Sequence, residues 1–218
     1  MDLTELVVRL SRTGAGAYVM WFMVILSVVS VAIMIERVWF FSSNASPLRA
    51  LATELHKLFL ERDYGKAKTL VESQKGFEAR VLSAALDGAP LGGHAVRELA
   101  ESATKVERLR YERGLAVLGT LGNNAPFIGL FGTVLEIIAA LYELGTQSGA
   151  NASAGAVMAT LSAALAATAV GLIVALPAVA AFNYFQRRLK ALQVGAEALV
   201  HVLLAHLPPE HAAEKRAG

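Results

Sequence analysis

The third apolar stretch of the chain constrains its fold more than any other feature. It runs from Gly155 to Phe185 and contains no Asp, Glu, Lys or Arg. A helix crosses the hydrocarbon core of a bilayer with about 20 residues, so this stretch is long enough to span a membrane. Two more apolar stretches, residues 17–41 and 115–145, are also longer than about 20 residues. The sequence therefore predicts an all-α integral membrane protein with three transmembrane helices.

The composition agrees with this class and excludes several others. Hydrophobic residues make up 55% of the chain, which is more than a typical soluble domain contains. The formal net charge is only +2, so nucleic acid is not expected as a partner. The chain has no cysteine, which excludes disulfides, thiol catalysis and cysteine-ligated zinc. Nucleotide-binding and nucleophile motifs are absent, and the last three histidines (201, 206 and 211) do not share a helical face. We therefore expect no enzyme activity, metal or cofactor.

The distribution of Lys and Arg predicts the topology of the chain. Residues 42–114 contain 12 of them and the residues after Phe185 contain 5, whereas the head contains 2 and residues 146–154 contain none. Basic segments stay in the cytoplasm, so both basic segments are expected there and the N-terminus outside. The first apolar stretch is too long for a signal peptide and lacks a cleavage site. The expected order is a periplasmic head (1–16), a first span (17–41), a cytoplasmic helical domain (42–114), a second span (115–145), a periplasmic link (146–154), a third span (155–185) and a cytoplasmic C-terminal helix and tail (186–218).

The long polar segment is predicted to form a small helical domain. Apolar residues recur at helical spacing from Leu48 to Leu58 and again from Val81 to Leu86, which is typical of packing faces. A charged helix is predicted from His94 towards Thr120. The pairs Glu101–Lys105 and Arg108–Glu112 are four residues apart, which indicates a solvated face on this helix.

The second and third spans each have one narrow face of small and hydroxyl-bearing residues. Such a face lets a neighbouring backbone approach closely, or it lines a narrow polar passage. On a helical wheel, the face of the second span consists of Gly122, Pro126, Gly129, Thr133, Glu136 and Ala140. The face of the third span consists of Thr160, Ala164, Thr168, Gly171, Ala175 and Ala178.

Glu136 is the only acid well inside the three spans. An ionisable group in a bilayer is costly unless it faces a bundle interior or water, and burial favours the protonated carboxyl group. We therefore expect Glu136 to carry a proton or face a partner, with Thr133 and Thr168 as hydroxyl relays. Two alternatives stay open: the threonines can bond to their own helices, and Glu136 can form a structural pair or lie near the outer surface.

Two sequence motifs carry a resemblance to a known family. The segment LGTLGNNAPFIGLFGTV (118–134) is followed about thirty residues later by ALAATAVGLIVALPAVAAFNYF (164–185). Together with the three spans and the long polar loop, these motifs resemble the ExbB/TolQ branch of the MotA/TolQ/ExbB proton-channel family. The resemblance implies an inner-membrane homopentamer whose second and third spans line a central pore, with Thr133 and Thr168 as pore threonines. It also implies two ExbD/TolR-like single-span subunits in the pore and protons as the coupling ion.

One position departs from the family pattern. ExbB and TolQ proteins usually carry a glutamate five residues before the threonine of the third span, and this chain has Ala163 there. We therefore hypothesise that the acid has moved to Glu136 on the second span. The process that is powered stays open between TonB-dependent transport, Tol-Pal and gliding motility. The alternative function is a non-conducting membrane scaffold that holds partner subunits.

Overall fold

The computed structural model describes residues 15–45, 48–146 and 154–208. Its helices are α1 (Ala15–Ser43), α2 (Leu48–Leu60), α3 (Tyr64–Glu72), α4 (Phe77–Gly88), α5 (Gly93–Glu112), α6 (Leu115–Thr146) and α7 (Ala154–His206), with a 3₁₀ turn at Ala89–Leu91. No strand occurs in these three ranges, and the predicted all-α class is confirmed. Most of the expected head and link and the last part of the tail lie outside the described residues.

Three of these helices are long and apolar enough to cross a membrane. The qualifying segments are Gly16–Ser43 in α1, Leu115–Tyr142 in α6 and Met158–His206 in α7. Many of their large apolar side chains are exposed, among them Trp21, Phe127 and Ile173. Exposed apolar surface of this extent is what contact with lipid requires. The three-span architecture predicted from the sequence is therefore confirmed.

The chain divides into two compact units. We call residues 15–36 and 114–183 the spanning unit, and residues 37–113 and 184–208 the polar unit. The boundary at 113/114 coincides with a break between α5 and α6, where Gly114 has a φ of 79°. This left-handed backbone conformation is readily adopted only by glycine. The single helix predicted from His94 towards Thr120 is therefore wrong, because it ends at Glu112 and a new helix begins at Leu115.

The polar unit is a packed helical domain, as the apolar spacing predicts. Asp63 caps α3 by accepting a hydrogen bond from the backbone N–H of Lys66 at 2.9 Å, which satisfies an amide that has no partner within the helix. The predicted face of α4 from Val81 to Leu86 is buried at its apolar positions, with Leu82 fully enclosed. The predicted ion pairs on α5 also form, between Glu101 and Lys105 and between Arg108 and Glu112.

In the spanning unit, the three apolar helices pack through small or flexible side chains. Met23 of α1 is fully buried in a cluster with Ala125 of α6 and with Val174 and Ala175 of α7. Since lipid is as apolar as these side chains, close van der Waals packing rather than the hydrophobic effect holds such helices together. All three helices therefore contribute side chains to one shared contact.

Candidate functional site

The backbones of α6 and α7 approach each other closely at two glycines. A methyl group in place of the Gly129 hydrogen would lie 2.7 Å from the carbonyl oxygen of Ala167, and one on Gly171 would lie 2.9 Å from that of Ala125. Real Cβ atoms essentially never lie this close to another heavy atom. Glycine at 129 and 171 is therefore what allows the two helices to meet at this distance.

The contact continues along both helices on the faces that the sequence analysis identified. Gly122 lies against Val179, and a methyl group on Gly122 would lie 2.5 Å from the Val179 side chain. Among the other packing residues predicted on these faces, Pro126 and Thr160 are half-buried. Four are buried: Ala140, Ala164, Ala175 and Ala178. Within one chain, the two small faces thus allow the close approach of helices, which is the first of the two roles considered for them.

The hydroxyl groups of Thr133 and Thr168 meet inside this contact. Their Oγ1 atoms are 3.3 Å apart, and Thr133 is only 5% exposed. Thr133 Oγ1 donates its proton to the carbonyl oxygen of Leu130 at 2.6 Å. Because a hydroxyl group has one proton and two lone pairs, Thr168 must be the donor to Thr133. The result is a short hydrogen-bonded line from Thr168 through Thr133 to the backbone of α6.

Glu136 lies one turn from Thr133 but has a different neighbour. A methyl group on Gly16 of α1 would lie only 2.7 Å from the carboxyl carbon of Glu136. The side chain is half-buried, and its Oε2 has no hydrogen-bond partner among the described residues. The structure therefore brings Thr133 and Thr168 together on α6 and α7, while it places the Glu136 carboxyl group against the start of α1.

The exposed side of α7 has its own set of small residues, which the helical-wheel argument did not select. Ala159, Ser162, Ala163 and Ala166 are all exposed in the single chain. Ala163 is the position at which the resemblance leads one to expect an acid. The sequence did contain a signal for this exposed side of α7, because the small residues continue around the helix beyond the face that packs on α6.

Sequence reasoning also missed a buried polar cluster in the polar unit. Tyr111 is 1% exposed, and Glu78 and Glu107 are buried as well. The interpretation of α5 as a solvated helix rested on its exposed ion pairs and gave no weight to its opposite face. A signal was nevertheless present, because Glu107 and Tyr111 are four residues apart and share that face with Ala100.

The fold and the hydroxyl pair define a class of protein: an all-α, multi-pass membrane protein whose last two spans pack through small residues around paired hydroxyl groups. Residues 73–197 match the model of the MotA/TolQ/ExbB proton channel family. The chain belongs to this family, and its relatives support the ExbB/TolQ branch, as the two motifs predicted.

Three relatives align with substantial parts of this chain. The biopolymer transport protein ExbB of Neisseria gonorrhoeae is 36% identical over 160 residues, which cover 73% of this chain and 68% of the relative. ExbB of Xanthomonas campestris pv. campestris is 43% identical over 91 residues, or 42% of this chain and 35% of the relative. The putative biopolymer transport protein ExbB-like 2 of Helicobacter pylori is 42% identical over 84 residues, or 38% of this chain and 54% of the relative.

Proposed function

We propose that this chain is the multi-pass subunit of an inner-membrane proton channel that couples proton flow to mechanical work in the cell envelope. The observation that carries the proposal is the hydrogen-bonded pair of Thr133 and Thr168 hydroxyl groups in the contact between α6 and α7. A hydroxyl group both accepts and donates a proton, so two adjacent hydroxyl groups can pass one along. Protons are the coupling ion in this proposal, and no other cofactor is needed.

The proposed assembly is a homopentamer around two ExbD/TolR-like single-span subunits. The family resemblance supplies the stoichiometry, and the exposed surface of α7 is compatible with such a partner. Its small residues, including Ser162 and Ala163, would let the backbone of another helix come close. The powered process is one of TonB-dependent transport, Tol-Pal or gliding motility.

The proposed orientation places the polar unit in the cytoplasm and the link between α6 and α7 in the periplasm. Support comes from the 12 basic residues between 42 and 114 and their absence from 146–154. Cytoplasmic loops carry an excess of Lys and Arg in membrane proteins. In this orientation the N-terminus lies outside and the C-terminus inside.

A scaffold that conducts no protons is the second candidate, and one observation favours it. Thr133 donates its hydroxyl proton to Leu130 of its own helix, as threonines in transmembrane helices commonly do. In the scaffold, the two hydroxyl groups would only hold α6 against α7. The two candidates differ in what happens when the hydroxyl groups are removed but the side-chain shape is kept.

Proton flux into liposomes distinguishes the two functions. The chain is reconstituted with its co-purified single-span partner, and the flux of the wild type is compared with that of Thr133→Val and Thr168→Val. We expect each change to lower the flux about tenfold, since loss of one hydrogen bond of about 1.4 kcal/mol corresponds to that factor. Thr120→Val is the matched control, because Thr120 is an exposed threonine on α6 whose hydroxyl group donates to the carbonyl oxygen of Ala116 in its own helix. A partner-containing complex without flux in the wild type would support the scaffold.

A further inference from the structure

The side chain of Tyr111 lies inside an aromatic enclosure in the polar unit. Its ring centroid is 4.9 Å from that of Phe40, 5.2 Å from that of Phe41 and 5.4 Å from that of Phe77. All three neighbours meet Tyr111 edge to face, which is a favourable arrangement of aromatic rings. The backbone of Tyr111 is held as well, because Arg37 donates a hydrogen bond to its carbonyl oxygen at 3.4 Å. Tyr111 is therefore fixed at both its backbone and its ring.

Two buried carboxyl groups, those of Glu107 and Glu78, act on this tyrosine through their charge, and their surroundings differ. Glu107 pairs with Arg80 at 3.4 Å and with Arg110 at 3.7 Å, so its negative charge is matched by two cations. Glu78 is 3% exposed and forms no ion pair with any residue that the structure describes, although the charge of Arg188 favours its ionised form. Of the two acids, Glu78 is thus the one whose ionised form is poorly compensated.

Three polar atoms of the cluster have no hydrogen-bond partner in the described part of the chain: the hydroxyl oxygen of Tyr111, Oε2 of Glu78 and Oε2 of Glu107. All three are inaccessible to solvent, but Oε2 of Glu107 lies 3.7 Å from the guanidinium group of Arg110. Leaving a buried polar group unsatisfied is costly, and buried waters commonly satisfy such groups. Burial and the charges of Glu107 and Glu78 raise the pKa of Tyr111 to about 12. Tyr111 is therefore a neutral hydroxyl group that can donate a hydrogen bond.

We propose that Glu78 and Tyr111 form a proton-binding site in the polar unit, in which the Glu78 carboxyl group takes up and releases a proton beside a water molecule bonded to the Tyr111 hydroxyl group. A water at this point would accept a hydrogen bond from Tyr111 and donate one to Glu78, so the Tyr111 hydroxyl oxygen and Oε2 of Glu78 would each gain a partner. The charged or titratable groups that face the site come from the four helices around it: Arg37, Arg80, Glu107, Arg110 and Arg188. If the polar unit is cytoplasmic, as the proposed function has it, the site responds to cytoplasmic pH.

The direction of the pH effect follows from burial. Burial raises the pKa of Glu78 above its ordinary value of 4.5, so the folded chain binds this proton more readily than the unfolded chain does. Binding of this proton stabilises the folded chain fully below pH 4.5. The stabilisation is lost as the pH rises through the folded-state pKa of Glu78. Replacing Glu78 with glutamine removes the buried charge at high pH.

Infrared spectroscopy of the full chain in lipid nanodiscs tests the site directly. All samples carry Glu136→Gln, because Oε2 of Glu136 is also buried without a hydrogen-bond partner among the described residues. Glu107, which pairs with Arg80 and Arg110, is present in every sample, so a difference between samples belongs to Glu78. We expect a protonated-carboxyl band that titrates above pH 4.5 and is absent in Glu78→Gln but present in the control Glu98→Gln, whose side chain is exposed on α5. The melting temperature of Glu78→Gln should exceed that of the control by a few degrees at pH 8 and equal it at pH 4.

Tyr111→Phe keeps the proposal testable if Glu78→Gln fails to fold. Removing the hydroxyl group withdraws a donor from the ionised carboxylate, so the Glu78 band should persist to higher pH. A band that is unchanged in both Glu78→Gln and Tyr111→Phe would overturn the site. Neither measurement depends on proton flux, so failure of this site and failure of the channel proposal are separate results.

Discussion

At the scale of single residues, the spanning unit contains two kinds of polar group with different neighbours. Thr133 and Thr168 satisfy each other and the backbone of α6. Oε2 of Glu136 has no hydrogen-bond partner within residues 15–45, 48–146 and 154–208, and its side chain lies against Gly16 of α1. An ionisable side chain at membrane depth is costly and is expected to have a function. Glu136 is therefore the residue at which a change should separate proton transfer from helix packing.

Replacing Glu136 with glutamine should abolish proton-driven work and leave the assembly intact. Glutamine keeps the size of the side chain but does not ionise, so it cannot release a proton. The measurement is proton flux in liposomes beside the size of the complex in detergent. Glu61→Gln, at an exposed position of the polar unit, removes the same charge and should retain flux. Full flux in Glu136→Gln would refute the idea that the acid has moved from position 163 to position 136.

At the scale of helices, the contact between α6 and α7 depends on the absence of side chains. Gly129 and Gly171 lie at the point of closest approach, with the backbone of the opposite helix where a Cβ atom would be. A backbone neighbour has less freedom to move aside than the end of a flexible side chain. The contact should therefore tolerate even one added methyl group poorly.

We expect Gly129→Ala to destabilise the chain by about 1–3 kcal/mol, as is usual for overpacking. Gly145→Ala is the matched control on the same helix, because no atom lies within 4 Å of the added methyl group. The control should be neutral or stabilise by up to about 1 kcal/mol through helix propensity. Thermal unfolding in detergent, followed by circular dichroism, gives the comparison. Equal melting temperatures for the two variants would contradict the close approach of α6 and α7.

The all-α class and the packing faces could be predicted from the sequence, because both produce a regular spacing of apolar or small residues. The small residues from Gly122 to Thr133 and from Ala164 to Ala178 identified the faces that meet. This spacing does not show which neighbour a side chain contacts. The helical wheel therefore placed Glu136 on the same face as Thr133, although the Glu136 carboxyl group contacts α1. The break at Gly114 depends on one backbone angle within a continuous helical pattern. The Glu78–Tyr111 cluster joins residues from distant parts of the chain, which no local spacing can show.

At the scale of the whole molecule, the proposed topology places the polar unit and the link between α6 and α7 on opposite sides of the membrane. The spanning unit contributes three helices that can cross a bilayer, and the polar unit contributes most of the basic residues. With an odd number of crossings, the two ends of the chain lie on opposite sides. The link between α6 and α7 must then face the side opposite to the polar unit.

Single-cysteine labelling tests this topology without background, because the chain has no cysteine. Leu91→Cys reports on the polar unit, where Leu91 is 76% exposed. Gly145→Cys reports on the end of α6, where no atom crowds the new side chain. In right-side-out membrane vesicles, an impermeant maleimide should label position 145 at once and position 91 only after permeabilisation. The reverse order would place the polar unit in the periplasm.

Proton flux through two double variants tests whether protons pass through the paired hydroxyl groups. Thr133→Ser with Thr168→Ser keeps both hydroxyl groups, whereas Thr133→Val with Thr168→Val keeps the shape and removes them. In liposomes that contain the complete complex, the account predicts near wild-type flux for the serine variant and a loss of tenfold or more, roughly the effect of one hydrogen bond, for the valine variant. Equal flux in both variants, with both complexes assembled, would contradict a proton path through the paired hydroxyl groups.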